Sequence, residues 1–470
     1  MAFPSEITAE ARTALGDVHF APYWLDSPDR PEPRPGLVTD VQADLVVVGG
    51  GFSGLWTAYE ARRRFPDRSV VLIEADQIAE GATGRNGGFV AASLTHGLGN
   101  GFARWPHDMR ELSRLGQENL EAIVATISSE GIDCDLVRSG ELDVAVEDYQ
   151  VVELAEMVHL AQDAGLDFEL LDADQVQGMV HSPTYRGGVL DRTGVVMVDP
   201  ARLAWGLAAA SERRGVHIYE GTRVVNIARE GGGVRVRADF GSVLAGRVAL
   251  ATSAYPPLLR RLSHYVVPVY DSVLMTEPLS DAQRRSIGWE GREGVGDAGN
   301  QFHYYRTTAD GRILWGGYDA SYYGDFSPRH EREGTPYARL SEHFRYTFPQ
   351  LAEVRFTHAW AGAIDTCSRF SAFWGTALQG KVAYSLGFTG LGVGASRFGA
   401  QVMLDLLSGE ESERTRLQMV QTKPIPFPPE PIRGLGINIT RRSIDKADRN
   451  EGRRDLWLRT LDRIGLGFDS

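Results

Sequence analysis

Residues 44–88 read DLVVVGGGFSGLWTAYEARRRFPDRSVVLIEADQIAEGATGRNGG. An apolar run, Leu45 to Val48, leads into Gly49-x-Gly51-x-x-Gly54, with Ala58 four residues further on. A second apolar run, Val70 to Ile73, ends on Glu74. Strand, tight turn, helix, strand and terminal acid form the context that a dinucleotide fingerprint requires. Gly49 permits the turn, Gly51 lets a pyrophosphate approach the backbone, and Gly54 with Ala58 lets helix and strand pack closely. The helix N-terminus offers unpaired N–H groups and partial positive charge to phosphates. Glu74 suits ribose hydroxyls, and its charge argues against a 2′-phosphate.

Working outward, the 470-residue chain exceeds one ordinary core, so two joined lobes are expected. Its formal charge of -13 disfavours nucleic acid as a partner. Two cysteines, Cys134 and Cys367, exclude a disulfide scaffold and a multi-cysteine metal site, and no metal site is read elsewhere. The start carries no secretory pattern and no apolar run reaches membrane-span length, which points to a cytoplasmic protein without stable membrane insertion.

Apolar spacing predicts helices over Met109–Ile127 and Tyr149–Ala164, with a strand pair between them over Asp135–Val146. Strands are expected over Tyr185–Met197, then a helix opened by Asp199-Pro200 and running to about Arg214. Strands alternate with Gly-rich turns from Val216 to Ala254. Val266–Thr276 and Phe302–Tyr318 also have strand character, the latter turning at Asp310-Gly311. The pattern is α/β with an inserted, largely antiparallel β lobe.

A second glycine cluster, Gly387 to Gly394, follows the apolar strand Val382–Leu386 and precedes a helix expected from about Ala395 to Leu407. Such a helix start can stabilise negative charge, as on a reduced flavin. Two clusters so far apart suggest one extended cofactor held at both ends, and FAD is long enough.

Several motifs resemble the D-amino-acid-oxidase-like (DAO) superfamily of FAD-dependent oxidoreductases, nearest the γ-glutamylputrescine oxidase and glycine/sarcosine oxidase group. They are Pro22-Tyr23-Trp24-Leu25-Asp26, Gly81 to Gly88, Ala251-Thr252-Ser253-Ala254-Tyr255, Val267-Pro268-Val269-Tyr270, Thr276-Glu277-Pro278-Leu279, Gly316-Gly317, Trp360-Ala361-Gly362 and the second glycine cluster. The resemblance implies a Rossmann-like FAD-binding domain (GR2-type) with an inserted, mostly antiparallel β-sheet substrate lobe. It implies FAD contacts at Gly49, Gly51, Phe52, Ser53, Gly54, Glu74, Ala75 and Val224, where adenosine and pyrophosphate would lie. Ala82, Thr83, Arg85, Asn86, Gly87, Gly88, Thr252, Gly362, Gly390, Leu391, Gly392 and Val393 are assigned to the rest of the cofactor. Many relatives carry histidine where Leu391 stands, and the lysine that some use to activate oxygen has no counterpart among Lys381, Lys423 and Lys446. Cys367 reads either as a thioether attachment point or as a buried apolar thiol, the second being favoured.

On this basis we expect an arm over 1–42 and a discontinuous FAD-binding domain over 43–108, 190–262 and 352–420. A substrate lobe would occupy 109–189 and 263–351. A Pro-rich linker and C-terminal helical tail would occupy 421–470, with Leu456, Trp457, Leu461 and Ile464 on one helical face that packs on the protein itself or on a subunit partner; oligomerisation is left open. The resemblance implies oxidation of the C–N bond of a small amine or amino acid. A hydride passes from the α-carbon to flavin N5, water hydrolyses the imine, and O2 is reduced to H2O2. Alternatives are a dehydrogenase of the same fold using a quinone or carrier, and a non-catalytic nucleotide- or partner-binding protein. Catalytic candidates are Tyr270, His303, Tyr305 and Arg306 of the β lobe and Trp360 of the closing cofactor segment, which reads either as a pocket wall or as a packed core tryptophan. Strand alternation sends His303 and Tyr305 to one face and Tyr304 and Arg306 to the other. Arg306 is read either as a clamp for a carboxylate or phosphonate, or as a solvated or internally paired strand arginine.

Overall fold

Leu45 and Val47 enter one apolar core while Val46 and Val48 enter another, as in a strand buried on both faces. In a computed structural model of the chain, residues 3–467 are described; the ends of the expected arm and tail, 1–2 and 468–470, lie outside them. The strand that holds these valines, Asp40–Val48, is central in the first sheet. Its order is Phe373–Ala377, Val382–Leu386, Ser242–Leu250, Asp40–Val48, Val70–Ile73 and Val216–Tyr219. The four inner pairings are parallel, and only Phe373–Ala377 runs antiparallel at its edge. Val224–Glu230 and Gly233–Ala238 add an antiparallel ribbon to Ser242–Leu250. Helices Phe52–Arg64, Met109–Glu130, Pro200–Arg213 and Gly392–Ser408 supply the apolar residues that cover one face.

The second sheet runs Phe356–Thr366, Val267–Thr276, Ile313–Gly317, His303–Thr307, Gly294–Asp297, Glu141–Ala145, Gly187–Asp191 and Phe168–Asp172. All of its pairings are antiparallel except Gly294–Asp297 with Glu141–Ala145. Helix Gly334–Thr347 covers its outer face, where Tyr337, Leu340 and Phe344 pack with Trp315 and Tyr305. The inner face, bearing Val273, Met275 and Trp360, joins the core of the first sheet's helices.

Three expectations change. Asp135–Val146 contains one strand, Glu141–Ala145, because Asp135 turns the chain at φ 48° and binds Arg292 instead of a ladder. The final cofactor-domain segment expected from 352 starts inside the second sheet: Phe356–Thr366 pairs along its length with Val267–Thr276. Helix Met109–Glu130, expected in the substrate lobe, packs in the core of the first sheet's helices. The C-terminal tail forms helices Ile432–Asp448 and Leu456–Arg463. Among the described residues no helix is long and apolar enough to cross a membrane.

Candidate active site

A cavity of about 1950 Å³ runs from the first glycine turn to the second and on to the inner face of the second sheet. Ligand pockets usually hold roughly 300–1,000 Å³, so this space takes an extended dinucleotide together with a further small molecule.

At one end Gly49 turns the chain at φ 112°, and a side chain at Gly54 would overlap the Gly49 carbonyl oxygen. Helix Phe52–Arg64 therefore starts hard against the strand. Its N-cap, Gly51, provides no capping side chain, and Ser53 Oγ is buried without a partner. An open helix N-terminus beside an unsatisfied hydroxyl fits a pyrophosphate. Glu74 accepts from Gly50 N at 2.5 Å and Asp76 N at 2.9 Å. Burial pushes its carboxyl above the usual range, against those backbone donors. Ala75 and Val224 line the same end.

Ala82, Thr83, Arg85, Asn86 and Gly87 line the middle, with Thr252 and Gly362. The loop is held from behind by two indoles: Trp24 Nε1 donates to Asn86 O and Trp360 Nε1 to Arg85 O, each at 2.8 Å. Thr83 Oγ1 accepts from Phe52 N at 2.9 Å, which ties the loop to the first glycine turn. At the far end Gly390, Leu391, Gly392 and Val393 line the cavity where helix Gly392–Ser408 begins. Asp365 accepts from Gly387 N at 2.7 Å and holds this turn; burial pushes its carboxyl up to about 6. Of the residues assigned to FAD, Gly54 and Gly88 do not line the cavity. Gly54 packs on Gly49, and Gly88 sits on Val198 O, where a side chain has no room.

None of the five catalytic candidates lines the cavity. Arg306 is 1% exposed and donates to Val198 O at 2.6 Å, with Asp135 3.8 Å away. Burial lowers its guanidinium to about 10, so it remains charged and braces the Gly88 loop; it is not aimed at a ligand. Alternation holds as expected, and the Tyr304 side of the strand faces the cavity while His303 and Tyr305 face helix Gly334–Thr347. Tyr305 shares a hydrogen bond with Tyr185 at 2.7 Å and packs on Trp315.

His303 lies in a buried chain. Its Nδ1 is 2.6 Å from Asp297, its Nε2 is 2.9 Å from His343 Nδ1, and His343 Nε2 is 3.0 Å from Pro4 O. Burial lowers His303 to about 3, lowers His343 and raises Asp297. Pro4 O only accepts, so His343 carries its proton on Nε2. His303 Nε2 then donates to His343 Nδ1, which leaves His303 Nδ1 facing Asp297, whose carboxyl burial raises. This buried chain anchors the arm at Pro4. Tyr270 O–H donates to Ser327 O at 3.0 Å and accepts from Ser327 N, which fixes the segment carrying Phe326, Pro328 and Glu331 over the cavity. Trp360 supports the loop as described. Cys367 is buried, and its thiol donates to Ser371 O at 3.1 Å; it does not line the cavity.

Two features were not assigned in the sequence. Asp271 lines the cavity and accepts the Tyr304 O–H at 2.5 Å. A charge within an otherwise doubly buried strand was its signal. The tail is the other: Ile437, Thr440, Arg441 and Ile444 of one helix and Trp457, Leu458 and Leu461 of the next line the cavity. Leu456, expected on the packed face, is 79% exposed and Leu458 takes its place. The tail is fastened to the lobe where Asn300 Nδ2 and Gln301 N donate to Asp448 at 2.7 and 2.9 Å.

The family described as FAD dependent oxidoreductase (DAO) matches residues 44–406. The chain is 33% identical over 402 residues to the γ-glutamylputrescine oxidoreductase of Escherichia coli K12, covering 83% of this chain and 90% of that protein. It is 27% identical over 401 residues to the probable oxidoreductase OrdL of Haemophilus influenzae, covering 84% and 89%. The crystal structure of glycine oxidase from Geobacillus kaustophilus superposes with a TM-score of 0.68 at 19% identity, over 82% of this chain and all of that one, and shows the shared fold. With a glycine turn, a bare helix start and an unsatisfied Ser53 hydroxyl at one end of the cavity and a second helix start at the other, the chain belongs to the DAO family of FAD-dependent oxidoreductases, and FAD is its cofactor.

Proposed function

We propose that the enzyme oxidises a C–N bond of a small amine and passes the electrons to O2. The observation that carries this reading is the continuity of the cavity: one space serves both glycine turns and then opens onto a sheet face bearing Val269, Asp271 and Tyr304. Bound FAD supplies the hydride acceptor and the electron carrier. The chain's own work is positional. The Arg85–Gly88 loop, backed by Trp24 and Trp360, presents one wall. The second sheet presents the opposite wall, and the tail adds Ile437, Ile444, Leu458 and Leu461 to the lining. The 33% identical relative from Escherichia coli, named for γ-glutamylputrescine, supports an amine as substrate.

A second reading, electrons passing to a quinone or carrier, has one observation in its favour. None of Lys381, Lys423 and Lys446 lines the cavity, whereas some enzymes resembling this one use lysine with oxygen. Anaerobic addition of γ-glutamylputrescine, sarcosine, glycine, D-amino acids and aminoethylphosphonate, followed near 450 nm (about where oxidised flavin absorbs), tests both. Bleaching by one compound, reversed quickly by air, is the expected result. Bleaching reversed only by an added dye selects the carrier reading, and a flavin that nothing bleaches overturns both.

A further inference from the structure

Besides Asp365, which holds the second glycine turn, two acidic side chains of the second sheet line the cavity without an ion pair among the described residues, Asp271 and Glu141. Burial and the neighbouring Asp143 and Asp191 push the Glu141 carboxyl well above the usual range, which makes Asp271 the readier anion. Asp271 lies on the strand Val267–Thr276, directly opposite Gly362 in register. Gly362 packs on the Cβ of Arg85, and the Tyr304 ring packs on Gly87, so the Asp271–Tyr304 pair abuts the loop that closes on FAD. Burial pushes the carboxyl up to about 6, while the Tyr304 O–H and the Ser272 and Gly317 N–H groups hold it down. Asp319 adds a repulsion, muted because Arg339 pairs with it at 2.9 Å. The group is therefore an anion at neutral pH. Among the described residues it forms no ion pair. Proteins bury an uncompensated charge at a cost, and such groups cluster at functional sites.

The cations on this side are arranged the other way. Arg85 pairs with Glu331 at 2.5 Å, Arg433 lies 3.9 Å from Glu430 and Arg441 4.0 Å from Asp319. Arg306 is engaged with backbone carbonyls. A substrate ammonium finds an unpaired anion here, whereas for a carboxylate each of Arg85, Arg433 and Arg441 already lies within 4.0 Å of an acid, Arg441 sharing Asp319 with Arg339.

We propose that Asp271, oriented by Tyr304, binds the nitrogen of the substrate, and that the substrate class is amines without a carboxylate on the carbon to be oxidised. The inference rests on the amine-oxidation reading above, and its test separates the two. The probe is tert-butylammonium, which has no C–H on the carbon bearing nitrogen and cannot react; pivalate is an anion of similar bulk. Binding to the FAD-loaded enzyme is read from perturbation of the flavin spectrum and by calorimetry. We expect tert-butylammonium to bind and pivalate to bind at least about 10-fold more weakly. Asp271→Asn should weaken tert-butylammonium by about 50-fold and Tyr304→Phe by about 5-fold, with FAD content and spectrum unchanged. Asp271→Glu should restore most of the affinity.

Tighter binding of pivalate, no binding of tert-butylammonium, or an Asp271→Asn affinity within threefold of the parent overturns the proposal. Should Asp271→Asn fail to fold or to retain FAD, Tyr304→Phe and Asp271→Glu decide it on the same readout. Asp271-dependent binding of tert-butylammonium in an enzyme that no amine bleaches upholds this site and sinks the amine-oxidation reading instead.

Discussion

The two ends of the cavity are built in opposite ways. At the end of the first glycine turn the central surface is main chain, a turn and a helix start within residues 49–54 with Glu74 beside them, and side chains such as Arg34 and Val224 flank it. At the substrate end it is side chains brought from far apart, with Asp271, Tyr304 and Gly362 on three strands and Ile444 and Leu461 on a tail. Backbone surfaces tolerate no added atom, because the groups that would clash cannot rotate away. Side-chain surfaces tolerate substitution of the wall and change what they bind. Stability and cofactor retention should therefore fail at the first end, and selectivity at the second.

The largest effect belongs to Gly54→Val. Even a Cβ there overlaps the Gly49 carbonyl oxygen, which must move the turn or the helix. Overpacking ordinarily costs about 1–3 kcal/mol, and a clash with backbone belongs at or above the top of that range. The variant should purify without 450 nm absorbance, or not at all. Retention of FAD by a folded Gly54→Val protein would remove the distinction between the two ends.

Asp271→Asn comes next and should do the reverse. FAD content is expected to stay, while kcat/KM for the amine falls about 100-fold. Because the native carboxyl titrates near 6, above its ordinary 3.8, the sign of its stability term is opposite to that of a salt-bridged aspartate. Ionising Asp271 costs folding stability, a cost that grows as pH rises from about 4 through 6 and is complete above. Removing it should raise stability at pH 8 by on the order of 1–3 kcal/mol and leave it unchanged below pH 4, as thermal melts at both values would show. In the parent, kcat/KM should fall as pH drops through about 6, where Tyr304, Asp319 with its partner Arg339, and the Ser272 and Gly317 amides set the titration. An Asn variant that is both more stable and less active marks a functional charge. One that is less stable marks a structural one.

Trp360→Phe probes the support between the ends. It removes the N–H donated to Arg85 O but keeps the buried ring. Loss of one hydrogen bond to a neutral carbonyl is worth about 0.5–1.5 kcal/mol, so FAD affinity should fall roughly 3- to 10-fold by the same measure, without a change in which amine is preferred. A switch in amine preference would place the indole in the substrate wall after all.

The same contrast explains what could be read from sequence. The first sheet and its glycine turns were legible because each depends on neighbours close in the chain: Leu45 to Val48 is apolar on both faces, Gly54 follows Gly49 by five residues, and Asp199-Pro200 opens a helix in place. Val382–Leu386 appears where expected. The catalytic side was not legible at the level of single residues. Tyr270 and Asp271 are adjacent, and alternation places them on opposite faces; nothing local says which face meets the cavity. His303 and Arg306 have the chemistry of a site, yet their partners, His343 and Val198 O, lie in other elements. The strand Phe356–Thr366 was assigned to the wrong lobe because membership of a sheet is decided by a partner some 90 residues upstream.

The tail makes the most selective effect, because it falls on long amines alone. Residues 432–463 lie beyond the family match, which ends at 406, and they contribute to the cavity. Ile437, Ile444 and Leu461 face inward, while Asp448 holds the tail to Asn300 and Gln301. Leu461→Ala removes about three carbons from that wall, and buried methylene contacts are worth about 0.8 kcal/mol each in transfer terms. An amine long enough to reach the wall should lose roughly 5- to 20-fold in kcat/KM, within the range by which a methylene discriminates substrates. Methylamine, which does not reach it, should be unaffected, and so should FAD content. Steady-state kinetics over a series of n-alkylamines reads this as a slope: the parent gains with chain length and the variant gains less. Parallel slopes would mean that the tail only shields the cavity from water. In that case the loss would fall equally on every amine, and selectivity would have to come from the sheet alone.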